Sequence, residues 1–130
     1  MKNVYSIFTS LLLALFLSSC ASAPAEKEHV IIAYVTSWTD VMPDPTVMTH
    51  INYAFGHVND TFDGVRVDNP RRLKKIVDLK NVNPDLKVML SVGGWGSGRF
   101  SEMASDKKCR RSFAEDCLRV VEEYGLDGID

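Results

Sequence analysis

The sequence predicts an α/β fold, the first half of a (β/α)₈ barrel with about four β/α units. Three observations predict it. Short apolar runs alternate with helical segments after residue 28, a glycine-rich turn follows the third run, and a fourth run begins at the last residues. Strands separated by helices in this order pair in parallel through right-handed crossovers. A doubly wound open sheet is the competing architecture.

The strands are recognised by their apolar residues. The nearly continuous run in His29–Trp38 is typical of a strand buried on both faces, and His50–Val58 and Lys87–Val92 are two further strands. The segment Leu126–Asp130 begins a fourth. A barrel needs eight such units in about 250 residues. Since the sequence stops within a fourth strand that no helix covers, we expect a fragment of a longer barrel domain, covering residues 29–130.

Helices and loops are predicted between these strands. Pro43 and Pro45 allow at most a short helix between the first two strands, and residues 60–69 form a polar loop. Pro70 opens a helix that ends near residues 81–84. A longer amphipathic helix covers residues 106–124, and Gly125 ends it.

The N-terminal residues differ in composition from the rest. Lys2 precedes a mostly apolar stretch from Val4 to Leu17, which is shorter than the roughly 20 residues that span a membrane and predicts a signal peptide over residues 1–20. The sequence leading to Cys20 resembles a bacterial lipoprotein signal, in which that cysteine carries the lipid anchor. Cleavage after Ala23 is the alternative. We expect an exported protein, anchored at the cell surface or in the periplasm, with residues 21–28 as a tether.

Composition limits the possible partners. The chain has 45% hydrophobic and 25% charged residues, a formal net charge of -2 and no basic cluster, so nucleic acid is not an expected partner. Its three histidines are scattered. Cys109 and Cys117 fall on one predicted helix, about 12 Å apart, too far to form a disulfide. No metal or other cofactor is predicted.

The glycine-rich turn from Ser91 to Gly98 follows the third strand, at the end where ligands bind in both candidate folds. It lacks the spacing of a phosphate-binding loop. Trp95 stands between glycines, as an exposed aromatic plate for the apolar face of a sugar would; packing at the barrel mouth is the alternative. Because strand residues alternate between faces, three residue sets should converge near this end. They are Tyr34, Thr36 and Trp38; Ile51, Tyr53 and Phe55; and Met89, Ser91 and Gly93.

Acidic residues mark the fourth strand. Gly128 and Asp130 lie on one face, and Asp127 and Ile129 on the other. Asp130 is expected to point inward, where an acid is costly unless it is paired or functional. Asp127 is expected to make a structural hydrogen bond near the start of the strand.

These segments resemble the family 18 glycoside hydrolases, which include bacterial chitinases. The resemblance rests on four segments in order: Ala33–Trp38, Ile51–Phe55, Ser91–Trp95 and Asp127–Asp130. It implies a (β/α)₈ barrel and substrate-assisted, retaining hydrolysis of β-1,4-linked N-acetylglucosamine in chitin or its oligosaccharides. Asp130 would relay charge, and Asp127 would be the motif's structural acid. Tyr34, Phe55, Gly94 and Trp95 would line the subsite for the distorted sugar.

The resemblance also implies what the sequence does not contain. The family's general acid is a glutamate at the fourth position after Asp130, so we expect these 130 residues to be inactive alone. Three other functions stay open. They are an endo-β-N-acetylglucosaminidase acting on N-glycans, a non-catalytic chitin-binding lectin of the same fold, and a scaffold lipoprotein with an open α/β domain.

Overall fold

The computed structural model describes residues 29–130, which form one sheet with helices packed on one of its faces. Its strands are β1 (Ile32–Thr36), β2 (His50–Val58), β3 (Val65–Val67), β4 (Lys87–Val92) and β5 (Gly128–Ile129). The order β1-β2-β4-β5 is parallel throughout, and β3 pairs antiparallel with β2. The predicted α/β fold with a parallel sheet is confirmed.

Three helices connect the parallel strands. They are α1 (Pro70–Val77), α2 (Phe100–Ser105) and α3 (Lys107–Tyr124), and short 3₁₀ turns occupy Pro45–Val47 and Asp78–Asn81. The side chain of Asp106 caps α3 by accepting from the Cys109 amide at 2.8 Å, and Gly125 ends this helix with a φ of 67°. The two predicted helices are present, the first as α1 with the 3₁₀ turn that continues it and the second as α3, whereas α2 was not predicted.

One predicted loop is wrong in part. Residues 60–69 were expected to be a polar loop, but Val65–Val67 forms β3, opposite Gly56–Val58 of β2. The hairpin has a physical basis, because Val65 is buried in the core and its amide donates to Asp116 of α3 at 2.7 Å. β3 pairs with the part of β2 that lies beyond the pairing of β2 with β1, at the carboxyl end of the strand.

The core lies between the helices and one face of the sheet. Val35, Tyr53 and Leu90 stand in register on β1, β2 and β4, and each is buried. Helix residues complete this layer, with Leu73 and Ile76 of α1 and Val120 of α3 all at most 1% exposed. The neighbouring register row, Tyr34, Asn52, Met89 and Gly128, therefore lies on the opposite, inward face.

A register irregularity corrects the predicted faces of β2. Ala54 pairs with Ser91 but Gly56 pairs with Val92, so Phe55 is one extra residue on this strand. Tyr53, which precedes this extra residue, points into the core. Phe55 lies beside Gly94 on the opposite face of the sheet. The expectation that Ile51, Tyr53 and Phe55 share one face is wrong. The peptide bond between Ala54 and Phe55 is cis.

The predictions for residues 1–28, the signal peptide, the tether and the lipid anchor at Cys20, lie outside the described residues. Within residues 29–130, no helix combines the length and apolar character needed to cross a bilayer. Cys109 and Cys117 are both free thiols.

Candidate active site

The carboxylate of Asp130 is fixed by two hydroxyl groups from two other strands of the sheet, β1 and β4. Tyr34 of β1 donates to its Oδ2 at 2.9 Å, and Ser91 of β4 donates to the same oxygen at 2.5 Å. The main chain holds the residue as well, since its N–H donates to Leu90 O at 2.9 Å and its C=O accepts from Val92 at 2.9 Å. The acid is thereby held on the inward face at the carboxyl end of the sheet, where barrels of this type bind ligands.

Hydrogen bonds from two directions restrict the rotamer of Asp130 and keep Oδ2 in one place. Both hydroxyls donate to the same oxygen, so the carboxylate is held in one orientation at the carboxyl end of the sheet. Strand alternation predicts that Ser91 lies on the inward face, but nothing in the sequence assigns it this role.

Asp127 lies at the start of the same segment and has different partners. Its Oδ2 accepts from the Val88 amide at 2.8 Å and from Lys80 Nζ at 2.5 Å, and Lys87 Nζ is 3.5 Å from Oδ1. Burial raises the pKa of this carboxyl, but the hydrogen bonds from Lys80 and Val88 outweigh that effect and hold the pKa below its ordinary value. Asp127 thus joins the entry of β5 to β4 and does not meet Asp130.

Aromatic side chains line the same end of the sheet. The rings of Trp38 and Phe55 have centroids 6.3 Å apart at an interplanar angle of 31°, and the ring of Phe55 is 6.3 Å from that of His57. Trp95 is fully exposed at 104%, and Tyr34 is 60% exposed. Exposed flat rings at the end of the sheet that carries the Asp130 carboxylate can stack on the apolar faces of sugars.

The glycine-rich turn brings its backbone against Phe55. Gly94 has a φ of 98°, and a Cβ built there would lie 2.9 Å from the Phe55 ring. The Gly93 amide donates to Gly56 O at 2.9 Å, which ties the start of the turn to β2. Only glycine meets both the positive φ and the close approach at position 94.

The predicted site residues fall into two groups. Tyr34 and Asp130 are in direct contact, and Phe55 and Gly94 are in direct contact beside Trp38. The indole of Trp95 projects into solvent. Among residues 29–130, no group of three or more His, Cys, Asp or Glu side chains is arranged to hold a metal ion.

One polar cluster was missed by the sequence analysis. His57 joins Ser97 through Nδ1 at 3.1 Å and Asp68 through Nε2 at 3.0 Å. These residues are separated by 40 and 11 positions along the chain, and no short motif links them. The only signal was the position of Ser97 within the glycine-rich turn.

The sequence and the fold both have known relatives. Chitinase A1 from Niallia circulans is 29% identical over 182 residues, covering 93% of this chain and 26% of that protein. The chitinase domain of the spore coat protein CotE from Clostridium difficile has a TM-score of 0.73 at 28% identity, covering 87% of this chain and 31% of that structure. A mutant of catalytic domain 2 of Ostrinia furnacalis Group II chitinase, solved in complex with penta-N-acetylchitooctaose, has a TM-score of 0.65 at 27% identity, covering 78% and 31%.

This chain therefore spans between about a quarter and a third of the length of these relatives. The family profile described as glycosyl hydrolases family 18 matches residues 30–130, nearly all of the described part of the chain. The chain belongs to glycosyl hydrolase family 18.

Proposed function

We propose that this chain supplies the first strands of the catalytic barrel of a chitinase-like glycoside hydrolase, which cleaves β-1,4-linked N-acetylglucosamine. The observation that carries the proposal is the placement of Asp130 under the hydroxyls of Tyr34 and Ser91, at the ligand-binding end of a family 18 sheet. The likeness to proteins named as chitinases supports the same activity.

In the proposed mechanism, the N-acetyl group of the substrate attacks the anomeric carbon, and the configuration is retained. Asp130 relays charge: its Oδ2 stays bonded to two hydroxyls while a neighbouring acid changes its own protonation state. The general acid is expected at the fourth residue after Asp130. A glutamate at that position would support hydrolysis, whereas a glutamine or leucine would support the alternative function, a non-catalytic chitin-binding lectin.

The proposed substrate is chitin or its oligosaccharides. Trp95 and Trp38 expose flat indole rings at this end of the sheet, and the apolar faces of pyranose rings pack on such surfaces. The ring of Phe55 fills the space next to Gly94, so a sugar can reach the turn only from the side that faces away from Phe55. The solved complex of the Ostrinia furnacalis domain with a chitin-type oligosaccharide is consistent with this class of ligand.

The test is an assay of the full-length protein on N-acetylglucosamine oligosaccharides, with Asp130→Asn as the comparison. We expect retaining cleavage that falls at least about a hundredfold in the variant, the scale of a lost acid–base contribution. Cleavage of N-glycans in preference to chitin oligosaccharides would establish the endo-β-N-acetylglucosaminidase instead. Tight binding without cleavage would establish the lectin, and neither binding nor cleavage would leave a scaffold protein.

Export and lipid anchoring at Cys20 are a second, separable proposal, supported by the composition of residues 1–20. Mass spectrometry of the mature N-terminus tests it. A diacylated or triacylated cysteine at position 20, lost with Cys20→Ala, is the expected result. An unmodified N-terminus after Ala23 would contradict the anchor and leave the glycosidase proposal unaffected.

A further inference from the structure

His57 connects three parts of the chain near the candidate site. Its Nε2 is 3.0 Å from Oδ2 of Asp68, which follows β3, and its Nδ1 is 3.1 Å from Oγ of Ser97, in the glycine-rich turn. His57 itself lies on β2, and its ring is 6.3 Å from that of Phe55. We propose that the chain Asp68–His57–Ser97 positions the glycine-rich turn, and with it Trp95, to receive the sugar. This inference rests on the proposed function.

The turn needs such an anchor because its own backbone is unusually free. Gly93, Gly94 and Gly96 all have positive φ angles, and Gly98 adds a fourth glycine within six residues. Glycine loses more conformational entropy on ordering than any other residue. Trp95 is fully exposed, so packing of its indole contributes nothing to holding the turn.

The contacts of the turn show how it is held. The amide of Gly93, the first residue after β4, donates to Gly56 O, and Arg99, the residue after the turn, pairs with Asp60 at 2.7 Å. Between these two ends, the side chain of Ser97 bonds to His57, and its amide donates to Gly94 O at 3.0 Å. Ser97 is thus the point at which the middle of the turn is tied to β2, two residues from Trp95.

Asp68 fixes the other side of the imidazole. It accepts from Arg66 at 2.5 Å through Oδ1 and from His57 through Oδ2, so the carboxylate cannot rotate away. With Nε2–H donating to Asp68, Nδ1 accepts from the Ser97 hydroxyl, so both ring nitrogens of His57 have partners.

This anchor also forms one wall of a cleft beside Trp95. The cleft has a volume of about 230 Å³. Its lining residues are His57, Arg66, Trp95, Gly96, Ser97, Gly98 and Arg99. If Ser97 is released, this wall and the indole move together, so we expect the loss to weaken sugar binding and leave the chemistry at Asp130 intact.

The experiment compares Ser97→Ala with Ser101→Ala in the full-length protein. Ser101 is an exposed residue of α2 and serves as the control. We expect Ser97→Ala to speed amide exchange in residues 93–98 and to raise KM for chitin oligosaccharides about fivefold, the scale of one lost hydrogen bond, with kcat within about twofold of wild type. Ser97→Thr, which keeps the hydroxyl, should have the exchange rates and the KM of wild type. Ser101→Ala should change neither the exchange rates nor KM.

The exchange measurement separates this inference from the proposed function, since it requires no substrate. Faster exchange in Ser97→Ala supports the anchor even if the wild-type protein cleaves no sugar. Unchanged exchange overturns it. With an active enzyme, unchanged KM, or a fall in kcat alone, overturns the link to substrate binding. An unfolding midpoint within about 2 °C of wild type is expected, because Ser97 lies in a surface turn.

Discussion

The hydroxyl of Tyr34 lies 2.9 Å from Oδ2 of Asp130, which joins the first strand of the sheet to the residue after its last, 96 positions later. Tyr34 is 60% exposed, so its ring adds little to the core. The contact therefore positions a carboxylate and does not hold the fold together.

Tyr34→Phe should lower activity with little effect on stability. The substitution removes one of the two hydroxyls that fix the Asp130 carboxylate, and because this bond is exposed, water can replace the lost hydroxyl without a large loss of stability. We expect kcat/KM of the full-length protein on chitin oligosaccharides to fall by at least about tenfold. The free energy of unfolding should change by less than about 0.5 kcal/mol. A variant with wild-type kcat/KM would show that Tyr34 does not orient Asp130.

Tyr53→Phe is the matched control with the opposite expectation. Tyr53 is fully buried, and its hydroxyl lies 3.0 Å from the carbonyl oxygens of Asp68 and Asn69. Removing the hydroxyl takes a hydrogen bond away from these part-buried carbonyls, which costs about 1 kcal/mol. Urea unfolding should show that loss. A variant as stable as wild type would contradict the role of Tyr53 in bracing β2 against the start of α1.

Alkaline pH provides a second measurement on Tyr53. Burial raises the pKa of its phenol from 10.0 to about 12. The group stays protonated in the folded state while the unfolded chain ionises, so its contribution is complete below pH 10 and is lost as the pH rises toward 12. Wild-type stability should decrease across this range more steeply than that of Tyr53→Phe. Parallel curves would contradict the raised pKa.

Gly94→Ala should damage the site, whereas Gly98→Ala should not. A Cβ at position 94 would meet the Phe55 ring at 2.9 Å on a backbone with φ of 98°, but at position 98 nothing lies within 4 Å and φ is ordinary. We expect Gly94→Ala to destabilise the protein by about 1–3 kcal/mol and to raise KM. Gly98→Ala should match wild type in both measurements. Equal behaviour of the two variants would show that Phe55 moves aside easily.

The sequence predicted the parallel sheet and an inward-facing Asp130, because both follow from strand order and alternation, but it did not predict the hydrogen bond between Tyr34 and Asp130. The predicted face of Phe55 was wrong, because one extra residue reverses the alternation of side chains along β2. No residue type in the sequence predicts such a bulge. It also missed β3 within a polar loop, since a three-residue strand gives too short a pattern. His57, Asp68 and Ser97 meet only through tertiary folding, so spacing along the chain could not reveal them.

Asp127→Asn should reduce stability at neutral pH and remove part of its acid dependence. The carboxylate accepts from Lys80 and from the Val88 amide, and these bonds keep its pKa below the ordinary 3.8. A lowered folded-state pKa stabilises the protein above the unfolded value and loses that effect as the pH falls through the folded one. We expect Asp127→Asn to lose about 2 kcal/mol at pH 7, measured by urea unfolding, the scale of a charge-assisted hydrogen bond.

The difference between the two proteins should then shrink as the pH falls below 3.8, because the wild-type carboxyl becomes protonated and resembles the amide. Lys80→Met is the companion variant. It removes the ammonium that lies 2.5 Å from Asp127 Oδ2 and should reproduce part of the loss at pH 7. A constant difference between wild type and Asp127→Asn from neutral to acid pH would mean that the shape of the side chain, and not its charge, joins β5 to β4.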